Sequence, residues 1–201
     1  MYTKTLIFAL LFAATATFAQ EAAPTPKQQE TLFRNAHIRG GFGGPIFSWS
    51  DTKNRTGYGA GGGGGVVFDR FFVGLFGMGE TFGQPVVGTS QLALGYGGLW
   101  LGYTIPSHKL LHFYTSAKIA VGSVGTTNFE DDWEFEDYWP DVTFVAITED
   151  GVELNIERWF CMSGSVGYRF VEGFDGWENY GKHDLNAAVY NLTLRFGKFG
   201  K

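Results

Sequence analysis

The chain has 201 residues, 30 of them glycine, a net charge of −5 at pH 7, and aromatic and charged residues at 17% each. That length suits one domain; the glycine lacks the Gly-X-Y period of collagen, and the aromatic content excludes both a disordered tail and an ordinary charged soluble surface. Nucleic-acid binding is excluded by the acidic balance and by the lack of any Lys/Arg cluster to neutralise phosphates.

Residues 1–19 read as a secretory signal peptide. Lys4 is the positive start, residues 6–14 are the apolar stretch, and Ala16-Thr17-Phe18-Ala19 supplies small residues before a cleavage point at Gln20. The stretch is shorter than the roughly 20 apolar residues of a spanning helix. No cysteine follows the cleavage point, which argues against a lipoprotein anchor, and Cys161 is the chain's single cysteine, so no internal disulfide is expected. Residues 20–36 are polar and contain proline, and read as a flexible periplasmic arm.

From residue 37 to 201 the pattern predicts a barrel domain. Candidate strands cover residues 37–49, 57–68, 71–80, 92–105, 110–124, 142–156, 160–171 and 185–196. The clearest alternation is in the seventh, where Phe160, Met162, Val166, Tyr168 and Phe170 share one face and Cys161, Ser163, Ser165, Gly167 and Arg169 the other. In the fifth, Leu111, Phe113, Ala117, Ile119 and Val121 oppose His112, Tyr114, Ser116, Lys118 and Gly122. Such apolar faces suit lipid and would aggregate in water. Turns after the second, fourth and sixth strands are short, including Asp69-Arg70, and the other connections, the first among them, are expected to be long. That asymmetry is typical of outer-membrane barrels with their long loops outside. The expected fold is therefore all-β, an eight-stranded antiparallel up-and-down transmembrane β-barrel with periplasmic termini. A soluble lipocalin-type barrel is the alternative.

Four constellations bear on chemistry. Gly57-Tyr58-Gly59-Ala60-Gly61-Gly62 satisfies G-x-G-x-x-G, yet it leads into Val66-Val67-Phe68 and a hairpin rather than a helix, so nucleotide binding is not expected. Glycine there leaves room in a narrow lumen for long side chains opposite. By parity Lys118, Glu149, Glu153, Arg169 and Arg195 point inward, with Arg39 a possible addition; an eight-stranded interior is just wide enough for side chains, so these charges are expected to pair and plug it. The loop at residues 128–139 holds Asp131, Asp132, Trp133, Glu134 and Trp139, a candidate surface-interaction site whose aromatics suit the membrane interface and whose carboxylates lack calcium-loop spacing. His112 and Ser116 share a face but stand about 13 Å apart along a strand, too far for base and nucleophile. No enzymatic activity, metal or cofactor is expected.

Gly95-Tyr96-Gly97-Gly98-Leu99-Trp100-Leu101-Gly102-Tyr103, residues 152–160 and Gly167-Tyr168-Arg169-Phe170 resemble segments of small Gram-negative outer-membrane barrels, the OmpA/OmpX-like and OmpW-like group. The final alternation through Leu192, Leu194, Phe196 and Phe199 is similar to the assembly signal of such barrels, although Gly200-Lys201 follow it. The resemblance implies lipids, lipopolysaccharide and the outer-membrane assembly machinery as partners, and is silent on an extracellular ligand. The expected role is structural or surface-interactive, with a narrow channel or transporter for small solutes as the alternative and a lipid-modifying enzyme behind it.

Overall fold

The structure, a computed structural model, describes residues 37–52, 55–83, 91–105, 110–127, 141–176 and 181–198. Among them are β1 (Ile38–Thr52), β2 (Arg55–Phe68), β3 (Phe71–Phe82), β4 (Gln91–Thr104), β5 (Leu111–Thr127), β6 (Asp141–Glu157), β7 (Phe160–Glu172) and β8 (Ala187–Lys198). Each strand pairs antiparallel with its neighbours in sequence, and β8 returns to β1, closing the expected up-and-down barrel. The signal peptide, the arm, the loop carrying Asp131, Asp132, Trp133, Glu134 and Trp139, and Phe199 lie outside the described residues.

Register fixes the geometry. Phe71 pairs with Tyr103, Tyr103 with Thr115, Thr115 with Asp150, and Asp150 with Val166. Val166 then pairs with Tyr190, Tyr190 with Trp49, Trp49 with Tyr58, and Tyr58 with Thr81. The circuit leaves β3 at residue 71 and re-enters it at 81, a shear of ten residues. With a rise of about 3.3 Å per residue and about 4.8 Å between strands, that shear tilts eight strands by roughly 40°. One residue along a strand then climbs the barrel axis by about 2.5 Å, and one strand along the paired line by about 3 Å.

Alternation sorts the side chains. In β5, His112, Tyr114, Ser116 and Lys118 are buried, whereas Leu111, Phe113, Ile119 and Val121 are exposed. Outward aromatics gather at two levels. Phe71 rests against Tyr103 with ring centroids 4.9 Å apart, and Phe160 stacks on Phe196 at 4.9 Å, near the short turns. Trp49, Tyr58, Phe144 and Phe170 lie toward the other end, where Tyr168 meets Phe170 at 4.8 Å. Phe71 and Thr81 are separated by about 25 Å along the axis, close to the apolar band of outer-membrane barrels.

Two expectations are corrected. The first connection is short: β1 and β2 stay paired up to Thr52 and Arg55, with residues 53–54 between them. Pairing continues past the apolar stretch because the polar side chains there find acceptors, Ser50 Oγ donating to Glu80 Oε2 at 3.2 Å and Thr52 Oγ1 to the Arg55 carbonyl at 2.5 Å. Leu185, expected to open the last strand, sits instead in the preceding turn, fully buried at the barrel mouth with Phe174. That connection is tied down where Val171 N–H donates to Asn186 Oδ1 at 2.7 Å. Gly173, at φ 92°, lets the chain leave β7 toward the mouth in a conformation that suits glycine.

Candidate functional site in the lumen

The inward faces bring six charged residues together as three ion pairs, among the described residues, stacked along the barrel axis. The upper pair joins Glu80 of β3 to Arg169 of β7, through Arg169 Nη1 and Glu80 Oε2, with both side chains fully buried. Tyr96 OH donates to Glu80 Oε1 at 2.5 Å, and Arg169 Nε donates to the Leu185 carbonyl at 3.1 Å. Arg169 therefore links the ladder to the mouth connection.

In the middle, Lys118 Nζ lies 3.0 Å from Glu149 Oε1. Glu149 also accepts from Ser116 Oγ at 2.7 Å, Ser165 Oγ at 3.1 Å and Asn191 Nδ2 at 2.6 Å, so strands β5 to β8 converge on one carboxylate. Trp100 Nε1 donates to Ser116 Oγ at 3.2 Å, and its ring centroid lies 5.0 Å from the Lys118 ammonium.

The lower layer is built on Glu153. Its Oε2 accepts from Arg195 Nη1 at 2.5 Å, and its Oε1 lies 2.9 Å from His112 Nε2. Asn155 Nδ2 sits 3.5 Å from His112 Nδ1, while Asn155 Oδ1 accepts from Cys161 Sγ at 3.0 Å. His112 Nε2 thus faces a carboxylate oxygen and Nδ1 a side-chain amide nitrogen. Arg195 Nε and Nη2 make no hydrogen bond, but the guanidinium lies within 4.7–5.1 Å of the Phe42, Phe72, Trp100 and Tyr114 rings. Ring faces compensate a buried cation where oxygen acceptors are missing.

The lumen charges balance, with Lys118, Arg169 and Arg195 against Glu80, Glu149 and Glu153. Lys118, Glu149, Glu153, Arg169 and Arg195 share this inner surface with Glu80, which the sequence pattern does not single out. The glycine-rich neighbours of β3 obscure its parity, yet Phe72, Phe76, Met78 and Glu80 alternate cleanly once the strand is extended to Phe82. Glycine opposite makes room for that glutamate, since a Cβ on Gly59 would overlap the Glu80 side chain.

Arg39 is corrected. It shares the outward face of β1 with Phe47 and Trp49, and its Nε and Nη2 each lie 2.8 Å from Asp69 Oδ1. It braces the Asp69-Arg70 turn, in which Asp69 adopts φ 48°. His112 and Ser116 are held by different glutamates and do not meet. Among the described residues no cluster of His, Cys, Asp or Glu is placed to hold a metal ion.

No family model matches the chain, and no curated protein matches it. Solved structures do. Neisserial surface protein A is 9% identical with a TM-score of 0.50, over 79% of this chain and 93% of that one. Ail, the attachment invasion locus protein of Yersinia pestis, is 12% identical with a TM-score of 0.47, over 80% and 99%. The outer membrane protein OprG of Pseudomonas aeruginosa is 12% identical with a TM-score of 0.48, over 81% and 97%. The chain has the fold of the small eight-stranded outer-membrane β-barrels.

Proposed function

We propose that this chain is an integral outer-membrane barrel with a structural or surface-interaction role, and that its lumen is a side-chain plug rather than a conduit. The observation that carries the reading is the lumen ladder: each of its three layers is bridged by a charge pair and filled by the rings and aliphatic groups around it. An ion crossing the barrel would have to separate every pair in turn, leaving each charge desolvated and alone. The outer face supports membrane insertion, since Leu75, Leu99, Phe113, Val121 and Phe170 are exposed between or at the aromatic levels.

On this reading residues 1–19 are removed after export, residues 20–36 form a periplasmic arm, and both termini face the periplasm. The outer face contacts lipid and lipopolysaccharide after insertion by the outer-membrane assembly machinery. The loop with Asp131, Asp132, Trp133, Glu134 and Trp139 is presented outward for an extracellular ligand of unassigned chemistry. The role is not catalytic, because His112 and Ser116 are engaged by separate carboxylates and share no reacting position.

Two measurements test this. Protein from washed outer membranes should migrate differently on gels with and without boiling in SDS, as a closed barrel does. In planar bilayers the purified protein should give no persistent conductance. Steady channels would replace the plug with the transport reading, and recovery in the periplasm without a gel shift would replace the membrane reading with a soluble, ligand-enclosing barrel.

A further inference from the structure

Asp150 is exposed in the middle of β6, on the strand's outward face. Along the paired line it stands three strands from Phe71, which puts it about 9 Å above the lower aromatic level and roughly 16 Å below Thr81. Among the described residues it is the charged side chain that projects outward between the two aromatic levels. It makes no hydrogen bond or ion pair with any described side chain. An aspartate is too short to reach the interface from that depth, as lysine or arginine can. An ionisable group in hydrocarbon requires a partner, and that partner must itself present polar atoms at the same depth.

We propose that the β5–β6 face is the interface between two copies of this chain, with Asp150 of each copy accepting a hydrogen bond from the partner's Thr115. The inference rests on the membrane-spanning reading above. Copies inserted with the same orientation are related by a two-fold axis along the membrane normal, so residues of equal depth meet. An axis facing the seam of β5 and β6 lays β5 of each copy against β6 of the other. Thr115 is the outward residue paired with Asp150 across that seam, about 3 Å lower on the axis, so the partner's Thr115 falls within side-chain reach of Asp150. The contact then occurs twice. The Thr115 hydroxyl is only loosely engaged, donating to the Glu149 carbonyl at 3.5 Å. Ala117 next to it and Gly164 on β7 are small, which allows the barrel walls to approach closely.

A second copy explains the depth match without further assumption, since any chain that carries the polar residue also carries its complement. A different protein would need a donor placed independently at that level.

The test counts copies of full-length protein in lipid bilayers by single-molecule photobleaching, for the wild type and for Asp150→Leu, Asp150→Asn and Thr115→Val. Wild type is expected to be dimeric. Asp150→Leu and Thr115→Val should each weaken association by roughly tenfold or more, the loss of two hydrogen bonds in lipid. Asp150→Asn keeps a carbonyl acceptor and should stay dimeric. Monomeric wild type, or a dimer unaffected by Asp150→Leu and Thr115→Val, overturns the proposal. The heat-dependent gel shift separates the two failures: a shifting monomer sinks the dimer alone, and a protein with no shift and no membrane recovery sinks the membrane reading as well.

Discussion

Glu80 and Arg169, 89 residues apart in sequence, form an ion pair with no solvent exposure that ties β3 to β7 across the lumen. The pair closes no sheet ladder, since β3 and β7 are not neighbours in the barrel. It braces the barrel across its diameter, a direction in which backbone hydrogen bonds do not act.

Breaking one side of this pair should cost more than removing both. Arg169→Met leaves the Glu80 carboxylate with Tyr96 and Ser50 as its remaining donors. Glu80→Gln keeps an amide oxygen that can accept one hydrogen bond but removes the countercharge, leaving the Arg169 cation with the Leu185 carbonyl and the Phe82 ring. Each single variant should lose about 3–5 kcal/mol, and the double variant Glu80→Gln/Arg169→Met should recover much of it. Denaturant unfolding in detergent micelles, read as a double-mutant cycle, measures the coupling; a coupling near zero would remove the cross-lumen brace.

Glu153→Gln should also destabilise the barrel, by about 1–3 kcal/mol. The smaller figure follows from what remains: Arg195 keeps four aromatic rings around it, and the introduced amide can still accept from one donor. The temperature at which the gel shift appears gives the readout. An unchanged temperature would mean that the lower layer does not lock the lumen.

The barrel is legible in the sequence because a period of two survives any interior that water does not enter. Lys118, Arg169 and Arg195 stand on strands with clean alternation, so parity alone sets their direction. Arg39 is hard to place because glycine-rich β1 hides its alternation: Phe42, Ile46 and Ser48 mark the inner face, and Arg39 shares the outer one with Phe47 and Trp49. Glu80 is hidden for a related reason: glycine reads the same on either face, so β2 and β3 show no alternation until their pairing is known. Which charges pair lies beyond the sequence, since partners are chosen by shear and depth across non-adjacent strands. The polar cost of Asp150 is equally hard to see, because a single aspartate among Val, Phe, Ala and Leu looks like tolerable noise in a pattern.

Gly102 offers a test of how tightly the lower lumen is filled. A Cβ at that position would overlap the Phe72 ring, which itself packs edge-on against Phe42 and Trp100 with centroids 5.3 Å and 5.2 Å away. Gly102→Val should cost about 1–3 kcal/mol through overpacking. Adding Phe72→Leu should restore part of the loss by vacating the clashing ring. Equal stability for Gly102→Val and the wild type would show that the aromatic layer can shift, and so that the plug is softer than its packing implies.

The exposed pair beside the mouth should behave oppositely to the buried ones. Lys182 Nζ lies 2.8 Å from Asp175 Oδ1, and its hydrogen bond, followed by its charge, holds the Asp175 carboxyl below the usual carboxylate range. A depressed folded-state value stabilises the fold above the unfolded carboxyl's pKa of about 3.9, and that contribution disappears as pH falls through the folded value. Both side chains are largely in water, so salt and side-chain entropy cancel most of it. Asp175→Asn should therefore leave the unfolding midpoint unchanged at pH 7 in physiological salt. Any difference from the wild type should appear only at low ionic strength and above pH of about 4, and should vanish as pH falls below that value. A loss at pH 7 comparable to that of Glu80→Gln would mean that the mouth connection, rather than the lumen ladder, sets the stability of the barrel.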